Sequence, residues 1–142
     1  KEDFAKFHPG GILGKKLTLK VKDLINANRP LVNEDAKIKD VIIEISKSRL
    51  GATAVCNTKN DLVGIITDGD LRRCLEKNTD FKKLSSKDIM TDKPMTISSI
   101  SLVYNAFKIM KENNITQLIV SDSGNYIGII HLHDIIKEGI IQ

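Results

Sequence analysis

The sequence predicts an α+β fold made of two similar halves, each with the element order β-α-β-β-α, packed sheet to sheet. An internal repeat carries this prediction: Lys22–Ile25 (KDLI) returns as Lys87–Met90 (KDIM), and Gly64–Leu71 returns as Gly128–Ile135. The 142 residues are 41% hydrophobic, enough for a packed core. A unit of about 60 residues is too small to bury its own sheet, so two units are expected to cover each other.

The first copy contains the elements of one such unit in order. Asn33–Asp35 supplies cap residues ahead of a helix, and Gly51 is expected to end it. The apolar residues at helical spacing are Ile38, Val41, Ile42 and Ile45. Residues 53–56 and 62–66 are expected to form strands around a turn at residues 59–61, and a second helix is expected from Asp68.

The second copy repeats this order. Ser98 and Ser99 precede a helix whose inward residues are expected to be Leu102, Ala106, Ile109 and Met110. Residues 117–120 and 126–130 are expected to form strands around a turn at 122–125, and Asp134 is expected to begin the last helix. Residues 80–86 are polar and serve as the connector. The predicted organisation is an arm (1–20), a first domain (21–80) and a second domain (81–142).

Composition argues against two classes of partner. The net charge is +4, but residues 1–20 account for most of that excess, and the chain has six aromatic residues and no Trp. A nucleic-acid binder is therefore not expected. No apolar run approaches the roughly 20 residues of a membrane span, so no membrane partner is expected. Cys56 and Cys74 have no metal-binding spacing and are expected to be buried thiols in a cytoplasmic protein.

The strongest local motif is Gly64–Asp70 (GIITDGD). A buried strand ends at a hydroxyl residue, Thr67, and a carboxylate, Asp70, follows in the first turn of a helix. The Thr67 hydroxyl and nearby free backbone N–H groups at the helix N-terminus suit a phosphate, and Asp70 can accept hydrogen bonds from ribose hydroxyls. The alternative is an ordinary helix cap. The reappearance of the pattern at Gly128–Asp134 favours the binding interpretation.

This repeated motif resembles the signature of the CBS (cystathionine-β-synthase) domain, and the chain resembles a tandem CBS pair, or Bateman module. The resemblance implies regulatory binding of an adenine or other nucleotide in the clefts between the domains, without catalysis. It implies that these residues bind the ligand: Thr67, Asp68, Asp70, His131, His133, Asp134, Ala52, Thr53, Ile115 and Thr116. No metal ion and no cofactor are expected. An oligomerisation scaffold with empty clefts is the alternative function.

The second copy departs from the signature because His131 stands where the family has a hydroxyl residue. His131 can donate to a phosphate or carboxylate, and protonation would then strengthen binding at low pH. The competing interpretation is that it caps the last helix. His131, His133 and Asp134 could also imitate a metal site, but no other histidine or cysteine lies nearby in the sequence to complete it.

The arm carries a second resemblance. Asp3–Leu17 (DFAKFHPGGILGKKL) resembles the linker of D-arabinose-5-phosphate isomerases of the sugar isomerase (SIS) class. This implies a parent enzyme with an N-terminal SIS domain, in which His8 is a candidate catalytic base, and a chain that starts at Lys1 is expected to be a fragment of it. It also makes CMP-Kdo, the activated end product, a candidate ligand beside an adenine nucleotide. A homodimer of the module and a tetramer of the full enzyme are expected.

Overall fold

The structure is a computed structural model that describes residues 14, 18–25, 28–77 and 80–139. A 3-10 turn at Val21–Asp23 precedes the first unit. The first unit comprises β1 (Leu31–Asn33), α1 (Ile38–Ser48), β2 (Ala52–Cys56), β3 (Leu62–Thr67) and α2 (Asp68–Lys77). The connection comprises a 3-10 turn (Phe81–Lys83), α3 (Ser86–Ile89) and β4 (Thr91–Asp92). The second unit comprises β5 (Thr96–Ile97), α4 (Val103–Asn113), β6 (Gln117–Asp122), β7 (Asn125–His131) and α5 (Leu132–Lys137).

Within the described ranges the strands form two sheets, in the orders β1-β2-β3-β4 and β5-β6-β7. In both, the first pair is parallel and the following hairpin is antiparallel, and each hairpin has a register shift at the corresponding place, at Val55/Cys56 and at Val120/Ser121. The α+β class and the repeated β-α-β-β-α order are therefore confirmed.

The two sheets face each other across an apolar layer. From the first unit, Leu50, Ala52 and Ala54 enter this layer, and from the second unit Ile119 and Ile129 do. All five are buried. Each unit also packs its own helices on the outer face of its sheet, as two further apolar clusters show. The units cover each other's inner sheet faces, as their small size predicts.

Two short segments pack on the unit that they do not belong to by sequence. Val21 lies in the core of the second unit, and its N–H donates to the carbonyl of Ser101 at 2.8 Å. In the opposite direction, Ser86 donates its N–H to the carbonyl of Ala36 at 2.9 Å. Strand β4 then pairs with β3 at the edge of the first sheet. This exchange brings residues 91–95 beside the end of β3, which positions the site described below.

The beginning and end of α1 differ from the prediction. Asn33 is the last residue of β1, and its side chain accepts the N–H of Asp35 at 2.9 Å. These residues therefore form a turn, and the N-cap of α1 is Lys37, without a side-chain cap. The helix ends at Ser48, and the left-handed residue after it is Arg49 rather than Gly51, although Gly51 also has a positive φ of 71°.

The second copy differs in the same way. Ser98 and Ser99 do not cap α4, because both hydroxyls donate to the carboxylate of Asp122, at 3.1 and 2.6 Å. Hydrogen bonds from the hydroxyl and N–H of Ser99 lower the pKa of Asp122. The N-cap of α4 is Leu102, and Val103 is the buried residue in its first turn. Ala106 and Met110 are buried as expected.

Tyr126 ties the two units together at the far end of the interface. Its buried hydroxyl donates to the carbonyl of Pro30 at 2.6 Å, across 96 positions of sequence. Arg29 lies over the Tyr126 ring, 4.7 Å from its centroid, and donates to the Tyr126 carbonyl at 3.1 Å. Burial raises the pKa of Tyr126, so the hydroxyl remains a donor.

Cys56 and Cys74 are both buried, as expected. None of the helices in the described ranges combines the length and hydropathy that a bilayer span requires.

Candidate functional site

A cavity of about 630 Å³ opens between the two units at the carboxyl end of β3. Its lining from the first unit and the connection includes Ile65, Thr67, Asp68, Gly69, Asp70, Arg72, Arg73, Thr91, Lys93, Pro94 and Met95. Its lining from the second unit comprises Asn113, Asn114, Ile115, Thr116 and Gln117. The cavity therefore unites five of the predicted site residues: Thr67, Asp68, Asp70, Ile115 and Thr116.

Thr67 and Asp70 hold each other in a reciprocal cap at the start of α2. The N–H of Thr67 donates to Oδ2 of Asp70 at 2.9 Å, and the N–H of Asp70 donates to Oγ1 of Thr67 at 3.2 Å. The predicted helix cap is thus present. Both side chains can still form further hydrogen bonds, because the Thr67 hydroxyl keeps its own proton to donate and the Asp70 carboxylate has further acceptor positions.

Arg73 occupies one of those acceptor positions. Its Nη2 donates to Oδ1 of Asp70 at 2.6 Å, one helical turn away. The Asp70 side chain is 13% exposed and the Arg73 side chain is 58% exposed. A Cβ added at Gly69 would stand 3.3 Å from Nη1 of Arg73 and 3.6 Å from Oγ1 of Thr67. The guanidinium therefore folds back over Gly69, on the same side as the Thr67 hydroxyl.

Asn114 carries the chain from α4 into the wall of the cavity. It has a left-handed backbone (φ 54°, ψ 45°) that ends the helix, as Arg49 does in the first copy. The turn places Ile115 and Thr116 on the cavity wall, and β6 begins at Gln117. The Gln117 amide donates to the carbonyls of Leu50 and Gly51, at 3.3 and 3.4 Å, which fixes this wall to the first unit.

The electrostatics of the cavity favour an anionic ligand. Its described lining contains three cationic side chains, Arg72, Arg73 and Lys93, and two carboxylates, Asp68 and Asp70. The ten-residue helix α2 also begins at the cavity, so its N-terminal dipole adds positive potential there. A phosphate near Thr67 would be stabilised by both.

Sequence reasoning missed part of this wall. Lys93, Pro94 and Met95 belong to the exchanged connection, and Asn113, Asn114 and Gln117 flank the two predicted residues of the second unit. The sequence did contain a signal for the connection. Residues 91–95 directly follow Lys87–Met90, the second copy of the repeated KDLI segment, and they precede a strand. Residues in such a place are expected to lie beside the cleft between the two units.

The chain matches the sequence profile described as the CBS domain at residues 21–77 and again at residues 87–140. The chain belongs to the CBS-domain family. A CBS pair is a binding module and not an enzyme in its own right. Solved CBS pairs share the fold. The CBS domain protein PAE2072 from Pyrobaculum aerophilum, complexed with AMP, has a TM-score of 0.76 and 22% identity, over 82% of this chain and 89% of that one.

A second solved structure agrees with the first. The CBS domain pair of protein MJ0100, in complex with 5′-methylthioadenosine and S-adenosyl-L-methionine, has a TM-score of 0.76 and 23% identity, over 84% of this chain and 94% of that one. Both neighbours confirm the CBS-pair fold of this chain.

Curated relatives match almost the whole chain. Arabinose 5-phosphate isomerase KdsD from Yersinia pestis and from Escherichia coli K12 are each 36% identical over 99% of this chain. An uncharacterised protein from Helicobacter pylori is 40% identical over 99% of it. The chain spans less than half the length of these relatives, 43 to 44%. The resemblance to this class of isomerase is therefore confirmed for the CBS part.

The predicted residues of the second CBS motif lie apart from this lining. His131 is the N-cap of α5: the N–H of His133 donates to Nδ1 of His131 at 3.0 Å, and Oδ2 of Asp134 accepts the N–H of His131 at 3.4 Å. The two imidazole rings stack with centroids 4.8 Å apart. The last helix thus begins at Leu132 and not at Asp134. His131 caps the helix, which was the alternative interpretation.

The pKa of His131 is shifted in the direction that favours the neutral ring. Burial, followed by the neighbouring His133, lowers its pKa, while Asp134 acts in the opposite direction. A neutral Nδ1 is the form that accepts the His133 N–H. Among the described residues, no group of three or more His, Cys, Asp or Glu side chains is arranged to hold a metal ion.

Ala52 and Thr53 are fully buried in β2. Ala52 packs between the two sheets, and the Thr53 hydroxyl donates to the Ala54 carbonyl at 3.1 Å. Neither residue belongs to the lining of the 630 Å³ cavity. His8 lies outside the described residues, as does most of the arm.

Proposed function

We propose that the cavity between the CBS domains binds a nucleotide, and that binding regulates the protein to which this module belongs. One observation carries the proposal: Thr67 and Asp70 of the first domain face Ile115 and Thr116 of the second across a single cavity. A ligand there contacts both domains at once. Such a ligand stabilises their relative arrangement, which is how a binding module can transmit a signal.

The chemistry of the cavity supports a ligand with ribose and phosphate. The acceptor positions of Asp70 suit the vicinal hydroxyls of ribose, and the hydroxyl proton of Thr67 and the N-terminus of α2 suit a phosphate. Ile65, Met95 and Ile115 add apolar surface for a base. An adenine nucleotide is the first choice, because the two solved CBS pairs described above hold AMP or adenosyl compounds.

The relatives support a more specific context. We infer that the parent protein is an arabinose 5-phosphate isomerase with an N-terminal SIS domain, that it acts in lipopolysaccharide biosynthesis in the cytoplasm, and that this module regulates it. In that context CMP-Kdo is the second candidate ligand, as a feedback signal from the end product. His8 is the candidate residue through which the arm would contribute to the isomerase site.

Calorimetric titration and thermal unfolding with AMP, ADP, ATP and CMP-Kdo test the binding proposal. A ligand at 100 times its Kd stabilises the folded protein by about 2.7 kcal/mol, which raises Tm measurably. Asp70→Asn is expected to weaken binding at least tenfold. Asp88→Asn is the matched control, because Oδ2 of Asp88 accepts the N–H of Ser85 in an equivalent capping contact outside this lining. The scaffold alternative gains support if none of these ligands binds.

We also propose that the module forms a homodimer, within a tetramer of the full enzyme. Among the residues that the structure describes, three large apolar side chains on helices are exposed: Ile43 (58%), Leu75 (46%) and Ile136 (46%). A second copy is the simplest cover for them. Light scattering at micromolar concentration is expected to show twice the 15.8 kDa mass of one chain. A monomer alone would contradict the proposal.

A further inference from the structure

We propose that Arg73 selects phosphorylated nucleotides over uncharged nucleosides, by exchanging its ion pair with Asp70 for one with the ligand. The inference rests on the proposed function of the cavity and adds its ligand class and a specificity-determining residue. Arg73 Nη2 donates to Asp70 Oδ1 at 2.6 Å. Arg73 therefore occupies an oxygen atom of the carboxylate that would accept the ribose hydroxyls.

The two oxygen atoms of Asp70 have different roles. Oδ2 accepts the backbone N–H of Thr67, and this bond belongs to the cap of α2. Oδ1 accepts Arg73, whose side chain is 58% exposed and free to rotate toward solvent. A ribose competing for the carboxylate therefore displaces Arg73 at Oδ1 at much lower cost than the Thr67 N–H at Oδ2, because only the second bond is part of the helix.

The position of the guanidinium while it is paired with Asp70 determines which ligands can recapture it. It lies over Gly69, where Nη1 of Arg73 and Oγ1 of Thr67 are both within 3.6 Å of the place that a Cβ would occupy. An anionic group at the start of α2 can therefore contact the Thr67 hydroxyl and Arg73 together. A nucleotide restores the ion pair of Arg73 through its phosphate, whereas a nucleoside breaks the pair with Asp70 and offers no replacement.

The test compares AMP and adenosine by calorimetric titration with the wild type and Arg73→Gln. The substitution removes the guanidinium that competes for Asp70. Because an exposed ion pair is weak, adenosine is expected to bind about two- to fivefold more tightly. It also removes a cation beside the phosphate, so AMP is expected to bind at least tenfold more weakly. Affinity changes of opposite sign distinguish this role from general electrostatic attraction.

Two variants serve as controls. Arg72→Gln removes a cation from the same lining, so it is expected to weaken AMP without tightening adenosine. Lys87→Gln breaks the exposed ion pair between Lys87 and Asp35, outside the cavity, and is expected to change neither affinity.

The possible results separate the inference from the proposed function. If the wild type binds neither AMP nor adenosine, the assignment of the cavity to nucleotides is wrong and the inference falls with it. If the wild type binds AMP, and Arg73→Gln leaves the ratio of AMP to adenosine affinity unchanged or weakens both ligands equally, the inference about Arg73 is wrong while the site remains. If Arg73→Gln weakens AMP but does not tighten adenosine, Arg73 acts only as a nearby charge and the proposed exchange is wrong. Tighter adenosine together with weaker AMP, so that the ratio falls at least twentyfold, supports it.

Discussion

Gly64 and Gly128 occupy the same position in the two CBS motifs, yet alanine is expected to affect them differently. A Cβ at Gly64 would stand 2.5 Å from Sδ of Met90, 2.9 Å from Cγ of Met90 and 3.0 Å from the carbonyl oxygen of Thr91. A Cβ at Gly128 would meet Ile25 at 3.6 Å and the Asn28 carbonyl at 3.9 Å, which are ordinary contacts. The difference arises because β4 pairs with β3 beside Gly64.

The distances set the expected magnitudes. Forcing an extra methyl into a packed site costs about 1–3 kcal/mol, and replacing a strand glycine by alanine recovers about 0.5–1 kcal/mol of conformational entropy. The cost exceeds the gain, so Gly64→Ala is expected to lower the free energy of unfolding, by up to about 2.5 kcal/mol. Gly128→Ala is expected to leave it unchanged or to raise it by up to about 1 kcal/mol.

Urea unfolding followed by circular dichroism measures both variants, with an unchanged m-value as the sign that only stability has changed. Because Thr91 also lines the cavity, Gly64→Ala is expected to weaken AMP binding as well. Met90 also packs on the core of the first unit, so Met90→Ala lowers stability by itself. Because it removes the closest contact, Gly64→Ala is expected to cost less in the Met90→Ala background than in the wild type. Equal unfolding midpoints for the two alanine variants would refute the reasoning.

Three further predictions concern single contacts. Tyr126→Phe removes the buried donor to the Pro30 carbonyl and is expected to cost about 1–2 kcal/mol of unfolding free energy, measured by urea unfolding; no change would mean that the bond is unimportant. Thr67→Ala removes a helix cap and is expected to cost about 1 kcal/mol in the same assay, while a loss below 0.3 kcal/mol (about the noise) would contradict it. The folded-state pKa of His131 lies below its ordinary value of about 6.5. The contribution of the neutral ring to the stability of the fold is therefore present above pH 6.5 and is lost as the pH falls through the folded-state pKa. His131→Asn keeps an acceptor for the N–H of His133 but does not titrate, so its Tm is expected to fall less than that of the wild type as the pH is lowered. If the Tm of both proteins changes with pH in the same way, His131 is not the source of the loss.

The elements and the repeat were predictable because their signals are local. Apolar residues three or four apart, such as Ile38, Val41 and Ile45, mark a helix face from the sequence alone, and all three are buried. The cap between Thr67 and Asp70 was also predictable, because two residues three positions apart at the start of a helix can exchange side-chain to backbone hydrogen bonds.

Helix starts that depend on competing partners were not predictable. Ser98 and Ser99 have the right chemistry for caps, but the carboxylate of Asp122, more than 20 positions away, accepts both hydroxyls. Asn33 likewise belongs to a strand and closes a turn. In both places a residue suited to one local role takes another because the fold supplies a different partner.

The sequence by itself determined that the chain has two homologous units, and that Thr67 and Asp70 stand together at the end of a strand. Only the tertiary structure decided that this motif shares its cavity with Lys93 and Asn114, while the motif of His131 lies outside that lining. The reason is physical: the two sheets must bury their inner faces against each other, and the exchanged segments pack on opposite units. Residues far apart in sequence therefore meet only once the units have docked.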